Sequence, residues 1–541
     1  MNNNKFPPIR VPKPYAHQTE AFEKFKDSNY FGLFCDMGTG KSKIAIDICV
    51  YKFKKKEIEA CLVIAPNNVH TQWIKEQFPI HCSIEYYPFT WQSGKKNNSL
   101  VKRKLEEFLV EERGHRLKVL AVNVEAFQSD SILGTIAEFV KNQKCFIIVD
   151  EATRIKTPTA RRSKTIRKLN KYGCRCILTG TPTAKSPFDL WAQFEFLRAN
   201  YFTCNYFIFQ HRYGVMMRGV NNYTGGKYFT LIDEKTYNIA QRKISKVKEA
   251  RLEHKLMPDD YEALAVITGI SEKNVRFIEA HPNFARYKRL DELKKYISAD
   301  VFSVTKEDCL DLPPKVYEKI LIDMPKEQRR VYENLKTQLL AEYEGQELTV
   351  LNKVALTTRL MQICGGFFPY VDKDKVKRVT MIGETNPKLE ALKADMEETG
   401  DEQIIIWAQF VKELELLYTT FKNLYTCVLY YGKTIQTERE KAIKGFQKNE
   451  IKIFIGNPAT AGFGLNLQSC SLQYFFSNSF RTENRLQAED RSHRIGVKKT
   501  CVYKDIIIKR TIDESIFRNL TAGKNLNDFF KSKSLEEIWE V

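Results

Sequence analysis

Short, unbroken apolar runs rich in β-branched and aromatic residues recur along this chain in two blocks. They limit the folds open to it more than any other feature. The first block holds Phe31-Gly-Leu-Phe, Cys61-Leu-Val-Ile-Ala, Val119-Leu-Ala-Val, Cys145-Phe-Ile-Ile-Val and Cys176-Ile-Leu. The second holds Gln403-Ile-Ile-Ile-Trp, Cys427-Val-Leu-Tyr, Ile451-Lys-Ile-Phe-Ile, Leu472-Gln-Tyr-Phe-Phe and Asp505-Ile-Ile-Ile. Strands solvated on one face alternate apolar and polar residues, whereas strands covered on both faces stay apolar throughout, as in parallel sheets flanked by helices. Two such α/β blocks are therefore expected, at 1–200 and 381–541. Between them, 201–380 lacks the rhythm and reads as a helical connector, with patterns such as Gln328-Arg-Arg-Val-Tyr-Glu-Asn-Leu and an insertion at about 220–288.

With 541 residues the chain exceeds one comfortable core. Lys and Arg outnumber Asp and Glu by 86 to 66, a net charge of +20, which favours a polyanionic partner because cations that neutralise phosphates release condensed counterions. The N-terminus, Met1-Asn-Asn-Asn-Lys-Phe, lacks the apolar core of a signal peptide, and no stretch approaches the roughly 18 apolar residues of a membrane span. The 13 cysteines are scattered mostly singly in apolar runs, and Cys174 and Cys176 are too close for a zinc knuckle. A cytoplasmic protein with reduced, buried thiols is expected, without membrane association.

Three motifs carry chemistry. After the Phe31–Phe34 run comes Asp36-Met-Gly-Thr-Gly-Lys-Ser42, followed by the apolar Ile44-Ala-Ile-Asp-Ile. Glycines there let backbone N–H groups surround phosphate oxygens, Lys41 can reach the β- and γ-phosphates, and the Ser42 hydroxyl can hold Mg²⁺. Cys35 replaces the first glycine of the usual eight-residue form. Ile147-Ile-Val-Asp150-Glu151-Ala-Thr153 then places two carboxylates at the tip of a buried strand, suited to a Mg²⁺ contact and to orienting a water. Third, Gln487-Ala-Glu-Asp-Arg491-Ser-His-Arg494 puts two arginines three apart, on one face if the segment is helical. Guanidinium groups so placed can stabilise the charge of phosphoryl transfer.

These pieces, with Leu178-Thr-Gly-Thr-Pro182, Asn457–Leu467 and Gln487–Gly496 in this order, resemble the motifs of helicase superfamily 2 and its Swi/Snf-type DNA translocases in particular. Pro14-Tyr-Ala-His-Gln18, Val63-Ile-Ala-Pro66 with Trp73, and Thr305–Pro314 extend the likeness to nearly the whole chain outside about 220–288. The resemblance implies two RecA-like parallel-sheet lobes with helical insertions between them, ATP and Mg²⁺ as cofactors, and duplex DNA as partner. Carried over by position, Gln18 contacts adenine; Gly38, Thr39, Gly40, Lys41 and Ser42 hold phosphates; Ser42 and Asp150 hold the metal; Glu151 acts on water; and Gln487, Arg491 and Arg494 complete the site. Pro66, Asn123, Thr179, Trp407, Gly464 and Asn466 fall in or beside motifs that line the nucleic-acid path or couple it to ATP.

The chain departs from the family at Thr153, where His is usual, which weakens the expected coupling, and at Val497, where Gln is common. Its compact form resembles bacterial or bacteriophage members, placing it in bacterial or infected-host cytoplasm. Three activities are weighed. The favoured one is a DNA-dependent ATPase translocating on duplex DNA and remodelling or displacing what is bound. The second is a strand-separating or branch-migrating helicase in repair, recombination or replication, and the third a non-catalytic ATP-gated DNA clamp, against which Lys41, Glu151 and Arg494 count. Within the insertion, Tyr261-Glu-Ala-Leu-Ala265-Val-Ile-Thr-Gly269-Ile-Ser-Glu-Lys-Asn-Val275 has the spacing of a helix-turn-helix, with Ser271, Lys273, Asn274 and Arg276 at the start of its second helix. A helical protrusion, or a docking surface for another protein, is the alternative reading of that pattern.

Overall fold

A computed structural model describes residues 11–522 apart from 68, 92–98, 111–115, 131, 184–185, 221–226, 254–260, 269, 282–283, 311, 343–349, 373–375, 401, 462–464, 495–496 and 498. The chain divides into two compact units, Met1–Asp36 with Gly40–Val304, and Thr305–Val541 with Met37–Thr39.

In the first unit, strands β1 (Tyr30–Cys35), β2 (Ala60–Ala65), β3 (Tyr86–Thr90), β4 (Leu117–Asn123), β5 (Cys145–Asp150) and β6 (Cys174–Leu178) precede a hairpin of β7 (Met216–Val220) and β8 (Lys227–Leu231), and β9 (Val301–Val304) closes the unit. Seven of them form one sheet in the order β3-β4-β2-β5-β6-β1-β9, with every neighbouring pair parallel. Alternate side chains feed two cores. Leu62 and Ile64 enter one with Ile147 and Val149, while Cys61 and Val63 enter the other with Phe146 and Ile148. Burial on both faces is what makes these strands apolar throughout.

The second unit opens with β10 (Lys315–Ile322), continues through the hairpin β11 (Phe367–Val371) and β12 (Lys377–Met381), and adds β13 (Ile404–Trp407), β14 (Cys427–Tyr430), β15 (Ile453–Gly456), β16 (Leu472–Phe475) and β17 (Cys501–Ile508). Its main sheet, β10-β17-β16-β13-β15-β14, is again parallel throughout. All ten apolar runs are strands. The three sheet strands outside that rhythm, β3, β9 and β10, are edges: β3 carries Pro88, and β10 exposes Val316, Tyr317 and Leu321. An edge strand is covered less completely and tolerates polar residues and proline, so it can do without the continuous apolar signature, although the fourth edge, β14, keeps it. Two of the three, β9 and β10, come from the stretch that reads as helical in sequence.

The insertion has its own core. The helices Glu234–Glu253, Tyr261–Thr268 and Glu272–Ala280 enclose Val215, Tyr237, Ile244, Leu264, Val275 and Ile278, and Ala265 packs against them. The helix-turn-helix pattern thus marks a real pair of packed helices, although Gly269 lies outside the described residues. Its second helix is not presented as the pattern suggests. Asn274 is buried, donating to the Met216 carbonyl at 3.0 Å, and Arg276 pairs with Glu272 at 2.7 Å while lying over the Tyr261 ring. All 13 cysteines are free thiols, and no helix among the described residues is long and apolar enough to cross a membrane.

Buried charge sits where β13 and β16 end. The Lys388 ammonium pairs with Asp513 at 2.6 Å and donates to the Phe476 carbonyl at 3.1 Å. Beside it the Glu413 carboxyl caps the helix Val411–Phe421, taking the Phe410 N–H at 3.1 Å and the Ser477 hydroxyl. Burial, opposed by Lys388 and Ser477, pushes the Glu413 carboxyl from 4.5 up to about 7. The folded unit therefore keeps a proton that the unfolded chain releases, and its stability falls as pH rises from about 4.5 through 7. Each pH unit in that window removes about 1.4 kcal/mol. Glu413→Gln is expected to flatten this dependence, read as amide-exchange protection of residues 404–421 at pH 5 and pH 8; an equal pH dependence in the variant would refute the assignment.

Candidate nucleotide-binding site

The first part of the site is the turn between β1 and the helix Lys41–Lys54. Gly38 and Gly40 have φ of +82° and +88°, a left-handed backbone that L side chains rarely adopt, and Gly40 is the helix N-cap. A Cβ at Gly40 would also lie 2.1 Å from the Gln18 side-chain nitrogen, so a side chain there would have to displace the Gln18 amide. Gln18 is buried and fixed at its other end, where its side-chain oxygen accepts the Tyr15 N–H at 3.0 Å. The Lys41 ammonium bends back over the turn to the carbonyls of Cys35 (2.7 Å) and Asp36 (2.9 Å). A cation held only by carbonyl oxygens can exchange them for phosphate oxygens at little cost.

The second part lies at the end of β5. Asp150 accepts the Trp73 indole N–H at 2.8 Å and the Glu151 N–H at 2.9 Å, which fix both carboxylate oxygens. Burial pushes the Asp150 carboxyl up, while Trp73, Lys41 and Glu151 act against it. That Lys41 is among these opposing groups places the two motifs at one end of the sheet. Glu151 has φ +51°, a left-handed conformation that a non-glycine residue holds at a cost of order 1 kcal/mol or more, and it turns the chain sharply out of the strand. Among the described residues, no group of three or more His, Cys, Asp or Glu side chains could hold a metal ion. The donors at hand, Ser42 and Asp150, suit Mg²⁺, which keeps most of its waters and takes one or two protein oxygens together with phosphate oxygens.

In the second unit, the helix Thr482–Glu489 ends before the paired arginines, which lie in the turns that follow it. The expected single helical face is therefore replaced by a different convergence. Arg491 donates to the Leu465 carbonyl at 3.3 Å and to the Gln487 carbonyl at 2.8 Å, and Arg494 reaches the same Leu465 carbonyl at 3.1 Å. Beside them the Gln487 side-chain oxygen is buried without a hydrogen-bond partner, a costly arrangement that a bound donor would relieve. The carboxylates at the helix end are bound by groups from the preceding chain. Asp490 pairs with Lys306 at 2.5 Å, and Glu489 takes Lys315 at 3.1 Å and the Tyr317 hydroxyl at 2.8 Å.

Residues 22–366 match the SNF2-related domain, and residues 387–496 match the helicase conserved C-terminal domain. The chain belongs to the SNF2-related family. An uncharacterized ATP-dependent helicase of Mycoplasma genitalium is 23% identical over 100% of this chain and 45% of its own length. The human DNA excision repair protein ERCC-6-like is 24% identical over 97% of this chain and 43% of its own. The chain thus spans less than half the length of the curated relatives it matches. The Sulfolobus solfataricus SWI2/SNF2 ATPase core in complex with dsDNA aligns over 99% of both chains at 18% identity, with a TM-score of 0.36.

The residues that family resemblance assigns to nucleic acid fall at strand ends and turns, but several are enclosed. Thr179 and Trp407 are fully buried and Asn123 nearly so. The Trp407 indole donates to Gln473 at 2.6 Å inside the second unit's core, so it braces β13 against β16. Pro66 is buried at a helix start, where its carbonyl accepts the Val69 N–H, whereas Asn466 is half-exposed in a turn. Gly464 lies outside the described residues.

Two positioning roles, one in each unit, carry no sequence signal of their own. Trp73, which the family resemblance includes without a function, orients Asp150 from 77 residues away. Arg485 anchors the helix before the paired arginines: it pairs with Asp505, accompanied by Glu489 at 2.7 Å, and its guanidinium stacks 3.5 Å from the Phe475 ring centre. All three charged partners are almost wholly buried. Arg485→Met leaves the buried Asp505 carboxylate without its cation and Glu489 with Lys315 alone, and is expected to lower unfolding stability by about 3–5 kcal/mol. Thermal unfolding checks this, and a loss below about 1 kcal/mol, the range of exposed pairs, would show that the network is solvated.

Proposed function

We propose that this chain hydrolyses ATP with Mg²⁺ and uses the energy to translocate on duplex DNA, remodelling or displacing what is bound there. The observation that carries the reading is the meeting of Lys41 with the buried, doubly braced Asp150 at one end of the first sheet. Glycine-shaped backbone, a lysine and an acidic strand end are the parts that bind and polarise a nucleoside triphosphate. Gln18, locked onto Gly40, is assigned to adenine; Gly38, Thr39, Gly40 and Lys41 to phosphates; Ser42 and Asp150 to the metal; and Glu151 to the attacking water. Bound Mg²⁺ would supply charge neutralisation of the phosphates, leaving the protein groups to position and orient. Gln487, Arg491 and Arg494 are assigned to the transferring phosphoryl group, where guanidinium charge favours the transition state.

Duplex DNA as the track is supported by the net charge of +20 and by family membership, and the name of the human relative refers to DNA repair. A cytoplasmic site of action, in a bacterium or an infected host, fits the same reading.

Steady-state ATPase with duplex DNA, single-stranded DNA and RNA in turn tests the proposal. Duplex DNA is expected to stimulate most, with an affinity that falls steeply with salt. Lys41→Ala is expected to abolish turnover by weakening phosphate binding. Glu151→Gln is expected to abolish it with ATP still bound, and Arg494→Ala to lower kcat at unchanged ATP affinity. Substantial DNA-stimulated turnover in the Lys41 or Glu151 variant would sink the active-site assignment, and maximal stimulation by RNA would sink the choice of track.

A further inference from the structure

The insertion's charged groups are not gathered where the helix-turn-helix spacing puts them. Arg276 is spent on Glu272 and Tyr261, and Asn274 points inward. Asn274 instead recruits a cation from the chain that leaves the insertion, its side-chain oxygen accepting the Lys288 ammonium at 2.5 Å. The returning segment is itself pinned: Lys288 N–H donates to the Tyr213 carbonyl at 3.0 Å, and Val215 N–H to the Arg286 carbonyl at 3.1 Å. The Lys288 ammonium is thereby held against Asn274, whose chain neighbour is Lys273, and Arg289 follows Lys288 in the chain.

Burial and then the charges of Arg289 and Lys273 push the Lys288 ammonium down to about 8. Among the described residues, the carboxylates Glu272 and Glu292 are committed elsewhere. Glu272 is bound by Arg276, while Glu292 is bound by Arg212 at 2.5 Å, with Arg289 only at the 4.0 Å limit. Like charges brought together without a shared counter-ion repel, and such a cluster is relieved by a polyanion.

We propose that Lys273, Lys288 and Arg289 form a binding patch for the phosphate backbone of nucleic acid, on the insertion and apart from the residues assigned to ATP or to the family's nucleic-acid motifs. Ammonium and guanidinium groups on long stems suit phosphate oxygens, and with Asn274 turned inward the patch has little with which to read base edges. Its contribution is therefore to affinity and positioning, independent of sequence. The choice of nucleic acid over an acidic protein rests on the motor reading above.

The test is direct binding of a fluorescent duplex by anisotropy across salt concentrations, with the full chain as wild type, as Lys273→Gln/Arg289→Gln, and as Arg276→Gln. Both altered sites are exposed, so the fold is expected to survive, and retained DNA-independent ATPase checks this. The double variant should bind about 5- to 20-fold more weakly, with the slope of log K against log salt reduced by about 1.8, or 0.9 for each phosphate no longer neutralised. Arg276→Gln should bind like wild type, because its charge is already paired. Equal affinity and slope in the double variant would overturn the patch while leaving the motor reading intact. Duplex binding that weakens in the double variant, in a wild type whose ATPase ignores DNA, would support the patch and sink the motor reading. A wild type that does not bind duplex DNA would overturn both.

Discussion

Parallel strands covered on both faces impose the constraint from which the rest of each unit follows. Once β1 and β5 point the same way in a sheet with no solvated face, the only places left for polar chemistry are the strand ends. Lys41 leaves one such end and Asp150 closes another, with β6 paired between the two strands. The sheet thus brings together a lysine and a carboxylate that are about a hundred residues apart in sequence.

Placement at a strand end does not by itself orient a side chain, and here orientation comes from groups with no chemistry of their own. The Trp73 indole and the Glu151 N–H each hold one oxygen of Asp150, while Gln18 fills the space over Gly40 that any side chain would need. The left-handed Glu151 is a local strain that the surrounding packing maintains, as expected where backbone direction matters more than backbone energy. The carboxylate is thus fixed at the same end of the sheet as a lysine bound to backbone carbonyl oxygens.

The second unit uses charge for the same end. Glu489 and Asp490 stand at the close of the helix Thr482–Glu489, and the cations Arg485, Lys315 and Lys306 draw them toward Asp505 and the start of β10. Buried pairs of this kind add little net stability over apolar packing, but losing one member is expensive. They anchor the end of the helix, after which Arg491 and Arg494 converge on the Leu465 carbonyl.

The two sheets, the phosphate turn and the Asp150-Glu151 strand end were legible in sequence because each depends on local pattern: double burial makes a strand wholly apolar, and left-handed turns demand glycine. What tertiary structure alone decided involves partners far apart in the chain. Edge strands β3, β9 and β10 carry no wholly apolar run, although the edge strand β14 does, and the roles of Trp73 and Arg485 depend on residues 77 and 20 positions away. The same reason holds for the helix-turn-helix pattern: Asn274 lies where its spacing suggests a ligand contact, yet it is turned inward to the Met216 carbonyl, a partner that spacing cannot reveal. Residue type and spacing determine which chemistry a segment can perform, while the packing of distant segments decides which side chains face outward to perform it.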